Sequence, residues 1–306
     1  MRAQVVTAVV ASISGAVHLC VVLLGMAAAS LPAQALEVMD DRGVTLHFAR
    51  APQRVVSLLP SLTESVCALE RCQRLVGVDR YSNFPESVKR LPEMGGGLDP
   101  NIEGIVALRP DVVLIATSSR ASRRLESLGI PVVALEPKSH ADVKRVLQIL
   151  GRLLGLPDAA AERLWIDIDD KLSATAQSLS VKARAARVYF EVGRGPYAAS
   201  ESSFIGQTLT RLGVSNVVPA DLGPFPLLNP EFVVRANPDV IMLGERSAVG
   251  GVPYPGWGTI KAVKAQRICV FGLAEADVLV RPGPRMAEAA RIMAECLQRQ
   301  AEDSRP

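Results

Sequence analysis

Residues 101–113, NIEGIVALRPDVV, return later in the chain as residues 229–241, NPEFVVRANPDVI, with no gap between the matched positions. Asn, Glu, Val, Pro, Asp and Val recur at the same places in both copies. Each copy predicts a short helix that an Asn caps and a Glu begins, because side-chain oxygens and negative charge are favourable at helix starts. The Pro-Asp pair then ends the helix and leads into a buried strand. A helix-strand unit that occurs twice predicts two lobes built in the same way.

Short apolar runs separated by helix-like stretches surround both copies. The runs lie at residues 55–59, 75–78, 112–115 and 132–135 in the first half, and at residues 188–192, 240–243 and 268–271 in the second. Short β-branched runs that alternate with helices predict βα units and largely parallel sheets. Residues 36–48, with the turn Asp41-Arg42-Gly43, predict an additional hairpin at the front.

The region between the two halves predicts one long helix. Residues 142–179 show no strand pattern, and after Pro157 the apolar side chains recur three or four positions apart. About 22 helical residues span roughly 33 Å, which is enough to bridge two lobes. We expect an α/β fold of two Rossmann-like lobes with central parallel sheets. The N-terminal lobe with its hairpin would occupy residues 36–156, the interlobe helix residues 157–181 and the C-terminal lobe residues 182–306.

The first 35 residues have the pattern of a leader. Their one charged side chain is Arg2, an apolar run extends from Val5 to Ala29, and Ala33-Gln34-Ala35 offers small residues at a cleavage position. This pattern predicts a signal peptide over residues 1–35 and export to the periplasm. An uncleaved membrane anchor is the alternative, because the apolar run is long enough to span a bilayer.

Composition excludes two broad classes of protein. Of the 306 residues, 49% are apolar and 21% are charged, so the chain is not of the disordered class. Lys and Arg total 34 against 31 Asp and Glu, a net charge of +3, and aromatic residues make up only 4%. A protein that binds nucleic acid needs a larger excess of basic residues to form a basic face, or more aromatic residues to stack on the bases. No nucleic-acid partner is therefore expected.

The motifs of common catalytic sites are missing or weak. Beyond residue 35 the histidines are His47 and His140, and the sequence contains no C-x-x-C, H-E-x-x-H or G-x-S-x-G. We therefore expect no metal site and no acyl-transfer chemistry. Residues 193–198, GRGPYA, satisfy G-x-G-x-x-A, but Pro196 and the serines that follow do not begin a helix as a dinucleotide turn requires. A binding protein is favoured, and a nucleotide-dependent enzyme that uses the interlobe cleft is the alternative from another class.

Four of the five cysteines lie beyond the leader. Three pairings are possible in an oxidising compartment. Cys67 with Cys72 and Cys269 with Cys296 is the favoured pairing, because it keeps each bond within one half of the chain. The alternative is that some of these cysteines are small buried apolar side chains.

Polar and aromatic residues follow several predicted strands, where open α/β sheets place their ligands. In the first half these are Arg80, Tyr81, Ser82 and Asn83; in the second they are Tyr197, Phe225, Trp257, Asp277, Arg281 and Arg285. Aromatic rings that border a cleft suit a large flat ligand, and arginines suit amide, carboxylate or phosphate oxygens. Taken singly, each can instead be a packed loop residue.

Glu103 and Glu231 occupy the same position in the two copies of the repeat. Two like lobes would present both carboxylates on one face, which suits docking to a partner that offers two basic residues. The alternative is a helix-start acid, which contributes about 1 kcal/mol at most.

Several segments together resemble the periplasmic substrate-binding proteins of ABC importers, in the class III group whose lobes are joined by a helix. They are RVVSLLPSLTE at residues 54–64, VGVDRYSNFP at residues 76–85, the Glu103 segment, Gly195-Pro196-Tyr197, Pro224-Phe225-Pro226 and Pro284-Arg285. The resemblance covers residues 51–298 and is greatest to the cobalamin-binding branch.

That resemblance implies a monomeric protein that captures cobalamin between its lobes, needs no cofactor, and delivers the ligand to a permease and ATPase in the inner membrane. One acid on each lobe of such proteins engages permease arginines, and the matching positions here are Glu103 and Glu231. The ligand contacts of the family match Tyr81, Tyr197, Phe225 and Asp277. Phe225 stands where an indole is expected, so a ferric siderophore or haem stays open as the ligand. A sensor that signals to a partner other than a permease is a further alternative.

Overall fold

The computed structural model describes residues 36–248 and 254–302. The predicted signal peptide at residues 1–35 lies outside the described residues. Across those two ranges, no helix has the length and apolar character that crossing a membrane demands.

The N-terminal lobe begins with a hairpin and continues with a parallel sheet. Strands β1 (Leu36–Met39) and β2 (Thr45–Phe48) pair antiparallel, as the turn at residues 41–43 predicts. The sheet consists of β3 (Val55–Ser57), β4 (Leu75–Val78), β5 (Val112–Ile115) and β6 (Val132–Ala134), all parallel in the order β4-β3-β5-β6. Its helices are α1 (Pro60–Ala68), α2 (Ile102–Ala107), α3 (Ser122–Ser127) and α4 (His140–Leu153).

One long helix, α5 (Asp158–Ser178), connects the two lobes. Ala161, Ile168 and Leu172 on its predicted apolar stripe are buried, and the helix packs against α4 and α12 (Met286–Glu302). A single turn of helix, α6 (Val181–Arg184), follows before the second sheet. The stretch at residues 142–179 therefore contains most of α4 as well as α5, because Gly155 and Pro157 separate the two helices.

The C-terminal lobe repeats the sheet-and-helix arrangement. Its strands are β7 (Arg187–Gly193), β8 (Tyr197–Ala198), β9 (Ser215–Asn216), β10 (Val240–Gly244) and β11 (Ile268–Phe271). The order is β11-β10-β7-β8, with β9 also paired to β7, and every pairing except β7 with β8 is parallel. Its other helices are α7 (Phe204–Arg211), α8 (Pro230–Ala236), α9 (Glu245–Ala248), α10 (Lys261–Lys264) and α11 (Leu273–Val280). The predicted α/β class with two lobes and parallel central sheets is confirmed.

The recurring Asn of the repeat caps a helix in both lobes. Asn101 accepts a hydrogen bond from the Gly104 N–H at 2.9 Å, and Asn229 accepts one from the Glu231 N–H at 2.9 Å. At the other end of the repeat, Arg109 and Asn237 both adopt the left-handed conformation, with φ of 46° and 43°. The two copies therefore share backbone geometry as well as residue types.

The recurring Asp ties its strand to the neighbouring strand in both sheets. The Asp111 N–H donates to the Arg54 carbonyl at 2.8 Å, and the Asp111 carboxylate accepts from the Arg54 N–H at 2.9 Å. Asp239 makes the same two bonds with Arg187, at 2.8 and 3.1 Å. The repeated Pro-Asp pair thus sets the register of β5 on β3 and of β10 on β7.

One expectation about a glycine-flanked aromatic residue is wrong. Trp257, grouped from the sequence with the loop aromatics of the cleft, is fully buried, packs edge-on against Tyr189 and donates its indole N–H to the Pro230 carbonyl at 3.1 Å. It is a core residue of the C-terminal lobe. The GRGPYA segment at residues 193–198 leads from β7 into β8 and begins no helix, which confirms the sequence interpretation that it is not a dinucleotide turn.

Both pairs of cysteines are joined. Cys67 bonds to Cys72 just beyond α1, and Cys269 on β11 bonds to Cys296 on α12. This is the pairing that the sequence favours. The second bond attaches the last helix to the edge strand of the C-terminal sheet.

Candidate functional site

A cleft of about 800 Å³ lies between the lobes at the carboxyl ends of β4, β7 and β10. The N-terminal lobe contributes Arg80, Tyr81 and Asn83 to its wall. The C-terminal lobe contributes residues 192–194, residues 244–247 and one face of α11. Parallel α/β sheets bind ligands at this edge because loops diverge there and leave a crevice.

Tyr81 is the aromatic side chain that the N-terminal lobe presents to the cleft, and 60% of it is exposed. Its backbone N–H donates to the buried carboxylate of Asp79 at 3.0 Å, which also accepts from the Ser82 hydroxyl. Burial raises the pKa of Asp79, although these hydrogen bonds oppose the change. The loop that carries Tyr81 is therefore anchored from below while its ring faces solvent.

Arg80, next to this ring, forms an exposed ion pair with Asp99. Its guanidinium pairs with Asp99 at 2.6 Å and lies 6.0 Å from the centre of the Tyr81 ring. Both members of the pair are substantially exposed. Arg80 can therefore exchange Asp99 for a ligand oxygen at little cost, since exposed ion pairs contribute about 1 kcal/mol or less.

Two arginines that the sequence reasoning missed face the cleft from the C-terminal lobe. Arg194 follows β7 and Arg246 lies in α9, just beyond β10; both side chains are exposed, and neither forms a salt bridge within residues 36–248 and 254–302, although the charge of Arg194 acts on the Glu191 carboxylate. The sequence could have indicated both arginines, because each follows within a few residues of the carboxyl end of a predicted strand, where open α/β sheets place their ligands. Free guanidinium groups in a cleft suit ligand carboxylate, phosphate or amide oxygens.

A buried hydrogen-bond network supports the Arg194 turn. Glu191 on β7 is buried, and its carboxylate accepts from the Tyr254 hydroxyl at 3.2 Å and from the Tyr189 hydroxyl at 3.4 Å. The Tyr254 hydroxyl accepts in turn from the Gly195 N–H at 2.9 Å. Burial raises the pKa of Glu191, opposed by these hydrogen bonds.

Tyr197 and Phe225 are exposed but do not line the cleft. Tyr197 lies on β8 and forms a β-bridge with Leu227, which is also exposed. The Ala198 N–H donates to the Pro226 carbonyl at 3.0 Å, so residues 224–228 run beside β8. Tyr197 is paired with Gly193 of the cavity wall, so this segment lies beside the cleft.

The three predicted ligand contacts near the end of the chain have partners within the protein. Asp277 lines the cleft and accepts from the Asn83 amide at 2.7 Å across the lobes. Arg281 also lines the cleft, but it is 8% exposed and pairs with Asp277 at 2.9 Å. Arg285 does not line the cleft. Its guanidinium is bound to Glu64 and lies 4.1 Å from the centre of the Phe84 ring.

Glu103 and Glu231 are exposed at the first turns of α2 and α8. Each helix leads directly into a strand, β5 or β10, so both helix starts lie at the carboxyl edge of a sheet, the edge that borders the cleft. Neither carboxylate is paired with a cation among the residues that the structure describes. Asn, Pro and Asp of the repeat stabilise the fold, whereas its Glu pairs with no cation within residues 36–248 and 254–302.

A sequence profile of the family described as "Periplasmic binding protein" matches residues 55–272, which is most of both lobes. The chain belongs to this family. A vitamin B12-binding protein of Pectobacterium atrosepticum is 30% identical over 249 residues, covering 78% of this chain and 86% of that protein. An uncharacterised ABC transporter substrate-binding lipoprotein, YvrC of Bacillus subtilis, is 28% identical over 270 residues, covering 84% of each chain.

Solved structures share the two-lobed fold. The periplasmic haem-binding protein RhuT of Roseiflexus, in its apo form, has a TM-score of 0.69 and 26% identity, covering 81% of this chain and 99% of that one. Relatives of this periplasmic binding protein therefore include both vitamin B12 binders and haem binders. The ligand of this member must be argued from its own cleft.

Neither histidine of the described ranges lines the cleft of this periplasmic binding protein. His47 lies on β2 and His140 begins α4, where its ring is within 2.9 Å of the Thr208 hydroxyl of the C-terminal lobe. Burial lowers the pKa of His140 to about 4. Among the described side chains, no three of the types His, Cys, Asp and Glu converge as a metal site would require.

Proposed function

We propose that this periplasmic binding protein captures cobalamin or a related corrinoid in its interlobe cleft and delivers it to an ABC permease and its ATPase. It performs no chemistry on the ligand, and the leader exports it to the periplasm. The observation that carries the proposal is the open 800 Å³ cleft with the exposed Tyr81 ring at its mouth. The cleft is of ordinary size for a ligand site, and a corrin ring offers a broad face for contact with an aromatic side chain.

One sequence relative supports a corrinoid as the ligand. The similarity to the Pectobacterium vitamin B12-binding protein extends over most of both chains. The peripheral amides and the phosphodiester of cobalamin match the exposed arginines Arg80, Arg194 and Arg246.

Haem is the second candidate, and one observation favours it. Tyr81 places a phenol in the cleft, and a tyrosine can bind haem iron. Arg194 and Arg246 would then face haem carboxylates. A ferric siderophore would use the same arginines without a bond from Tyr81 to iron.

Binding measurements separate these ligands. The chain from residue 36 onward, purified, is titrated by calorimetry with cyanocobalamin, with haemin and with a ferric catecholate and a ferric hydroxamate siderophore. We expect micromolar or tighter binding of cyanocobalamin and at least a tenfold preference over haemin. Binding of haemin alone, with a tyrosinate-to-iron absorption band, would move the assignment to haem. Failure to bind any of the four would reject the importer function.

We further propose that Glu103 and Glu231 dock on two basic residues of the permease. Each carboxylate is exposed, lacks a partner within the described part of the chain, and stands at the cleft-facing edge of its own lobe. Charge complementarity of this kind fixes the orientation of a complex and speeds its formation.

A further inference from the structure

Beneath the cleft, the carboxylate of Glu64 on α1 is held by two arginines of the other lobe. Glu64 is 2% exposed. Its oxygens accept from Arg281 at 2.9 Å and from Arg285 at 2.8 and 3.0 Å. Both arginines lie more than 200 positions later in the chain, at separations of 217 and 221 residues. This interlobe ion cluster comprises Glu64, Arg281 and Arg285.

Arg281 extends the cluster into the ligand cleft. Its guanidinium also donates to the Asn83 side-chain oxygen at 2.8 Å and to the Tyr81 carbonyl at 2.9 Å. On the other side it pairs with Asp277 at 2.9 Å. One buried guanidinium therefore joins Glu64 to the backbone of the exposed tyrosine and to the opposite wall of the cleft.

Arg281 forms these bonds through both terminal nitrogens of its guanidinium, so the position of the side chain depends on all of its acceptors. Glu64 is the most deeply buried of them and is itself held by Arg285. Removing Glu64 would take the shared counter-ion from Arg281, which is buried, and from Arg285, which is half-buried, and would leave them only Asp277 and the more distant Glu288 as acidic partners. The groups would then turn toward solvent or toward the cleft, and the Tyr81 carbonyl would lose its donor.

We infer that Glu64 is a positioning residue of the ligand site, which acts through Arg281 to hold the Tyr81 loop against the Asp277 wall and so sets the width of the cleft. The inference rests on the proposed function in one respect, that the cleft is where the ligand binds. It assigns the predicted ligand contacts Arg281 and Arg285 a different task, since their guanidinium groups are already occupied by Glu64. Contacts to the ligand are left to Tyr81 and to the free arginines of the wall.

The test compares Glu64→Ala and Glu64→Gln with wild type and with a matched control, Asp169→Asn. Asp169 on α5 pairs with Arg211 of the C-terminal lobe at 2.8 Å, but that pair is exposed and remote from the residues that line the cleft. Spin labels at Arg123→Cys on α3 and Lys264→Cys on α10, both exposed, report the distance between the lobes in ligand-free protein. Affinity for cyanocobalamin and for haemin is measured on the unlabelled variants.

We expect Glu64→Ala to broaden the interlobe distance distribution and to weaken ligand binding at least tenfold. Glu64→Gln should lie between Ala and wild type, because its amide oxygen can still accept from Arg281 and Arg285, whereas the charge and the acceptor for the Arg285 Nε are lost. Asp169→Asn should leave both readouts unchanged. A lowered melting temperature with unchanged distance and affinity in both Glu64 variants would show a merely structural role and overturn the inference.

If Glu64→Ala fails to fold, Arg285→Lys provides the test, because lysine keeps the charge but cannot make two parallel hydrogen bonds to the Glu64 carboxylate. The same changes in interlobe distance and ligand affinity are then expected at smaller amplitude. Unchanged distance and affinity in Arg285→Lys would count against the inference. If wild type binds neither ligand, the proposed function fails, whereas the distance measurement still decides whether the cluster sets the cleft width.

Discussion

Tyr81 is the residue whose surroundings most directly connect sequence to ligand. Its N–H is bound to buried Asp79, its carbonyl to Arg281, and its ring is left exposed at the mouth of the cleft. The backbone is therefore fixed on both sides while the side chain stays available. An aromatic ring held in this way loses little conformational freedom when a flat ligand packs on it.

Substitution of Tyr81 should affect ligand binding and leave the fold intact. We expect Tyr81→Ala to weaken cyanocobalamin binding about tenfold, because aromatic packing is worth about 1 kcal/mol beyond buried area. Tyr81→Phe should retain most of the affinity for a corrinoid, since the ring remains. Calorimetry measures both. If haem is the ligand, Tyr81→Phe would instead remove the tyrosinate absorption band, and equal affinities in all three proteins would contradict a ligand contact at this position.

His140 makes the stability of the protein depend on pH. Burial lowers its pKa to about 4 from an ordinary value of 6.5, with Arg211 and Asp169 as nearby charges of opposite effect. The unfolded chain therefore takes up a proton before the folded protein does. The stability that His140 contributes is present above pH 6.5 and is lost as the pH falls toward 4, by about 3 kcal/mol in all.

The His140 effect is isolated by comparison with His140→Gln, whose amide nitrogen can take the place of the His140 Nε2 in the contact to Thr208. Urea unfolding of both proteins between pH 4 and pH 7.5 should show a steeper loss of stability on the acid side in wild type. If the free energy of unfolding of both proteins changed with pH in the same way, the effect assigned to His140 would be contradicted.

At the scale of elements, the repeated segment separates residues that hold the fold from residues that are free for a partner. Asp111 and Asp239 each bind the backbone of the preceding strand, and Asn101 and Asn229 each cap a helix. These four side chains explain most of the recurrence on structural grounds.

Removal of the recurring Asp should lower the free energy of unfolding. Asp111→Ala would leave the N–H groups of Gln53 and Arg54 without their carboxylate acceptor, a loss of about 1 to 3 kcal/mol. Urea denaturation of the isolated protein measures this loss. Glu103→Ala, in the same helix-strand unit, is the matched control and should change stability by less than about 0.5 kcal/mol. A large loss in Glu103→Ala would mean that its carboxylate stabilises the helix and would weaken the docking proposal.

At the scale of the whole molecule, two lobes are connected by α5 and by the ion cluster at Glu64, and each lobe exposes one glutamate of the repeat, Glu103 or Glu231. Under the proposed docking, a permease that binds both glutamates at once would sense the separation of the lobes. The cluster beneath the cleft and the proposed docking residues would then act on the same interlobe distance.

Replacing both Glu103 and Glu231 by Ala should abolish most ligand uptake while ligand affinity stays within twofold of wild type. Each single variant should retain partial uptake, because one of two charge contacts remains. Uptake of labelled ligand by cells or by permease-containing vesicles measures the first effect, and calorimetry on the purified variants measures the second. A parallel fall in affinity and uptake would place these acids in ligand binding rather than in docking.

Secondary structure and the exposure of individual helix starts could be predicted from the sequence, because they depend on residues close together in the chain. Periodicity and β-branched runs located the strands of the N-terminal sheet, the front hairpin, the helix between the lobes and the strands β7, β10 and β11, but not the two-residue strands β8 and β9. The repeat located Glu103 and Glu231 at exposed helix starts. Signals of this kind succeed because the backbone conformation of a short segment and the burial of one of its faces follow from the residues within it.

Only the tertiary structure decided which side chains meet across the lobes. Arg281 and Arg285 follow a predicted strand, as ligand-binding arginines do, yet their partner is Glu64, more than 200 residues earlier. Trp257 looks like a loop aromatic between glycines, but it packs against Tyr189 in the core. The tertiary structure also places Arg194 and Arg246 at the cleft. Pairing between distant segments depends on how whole sheets and helices pack, and no local pattern carries that information.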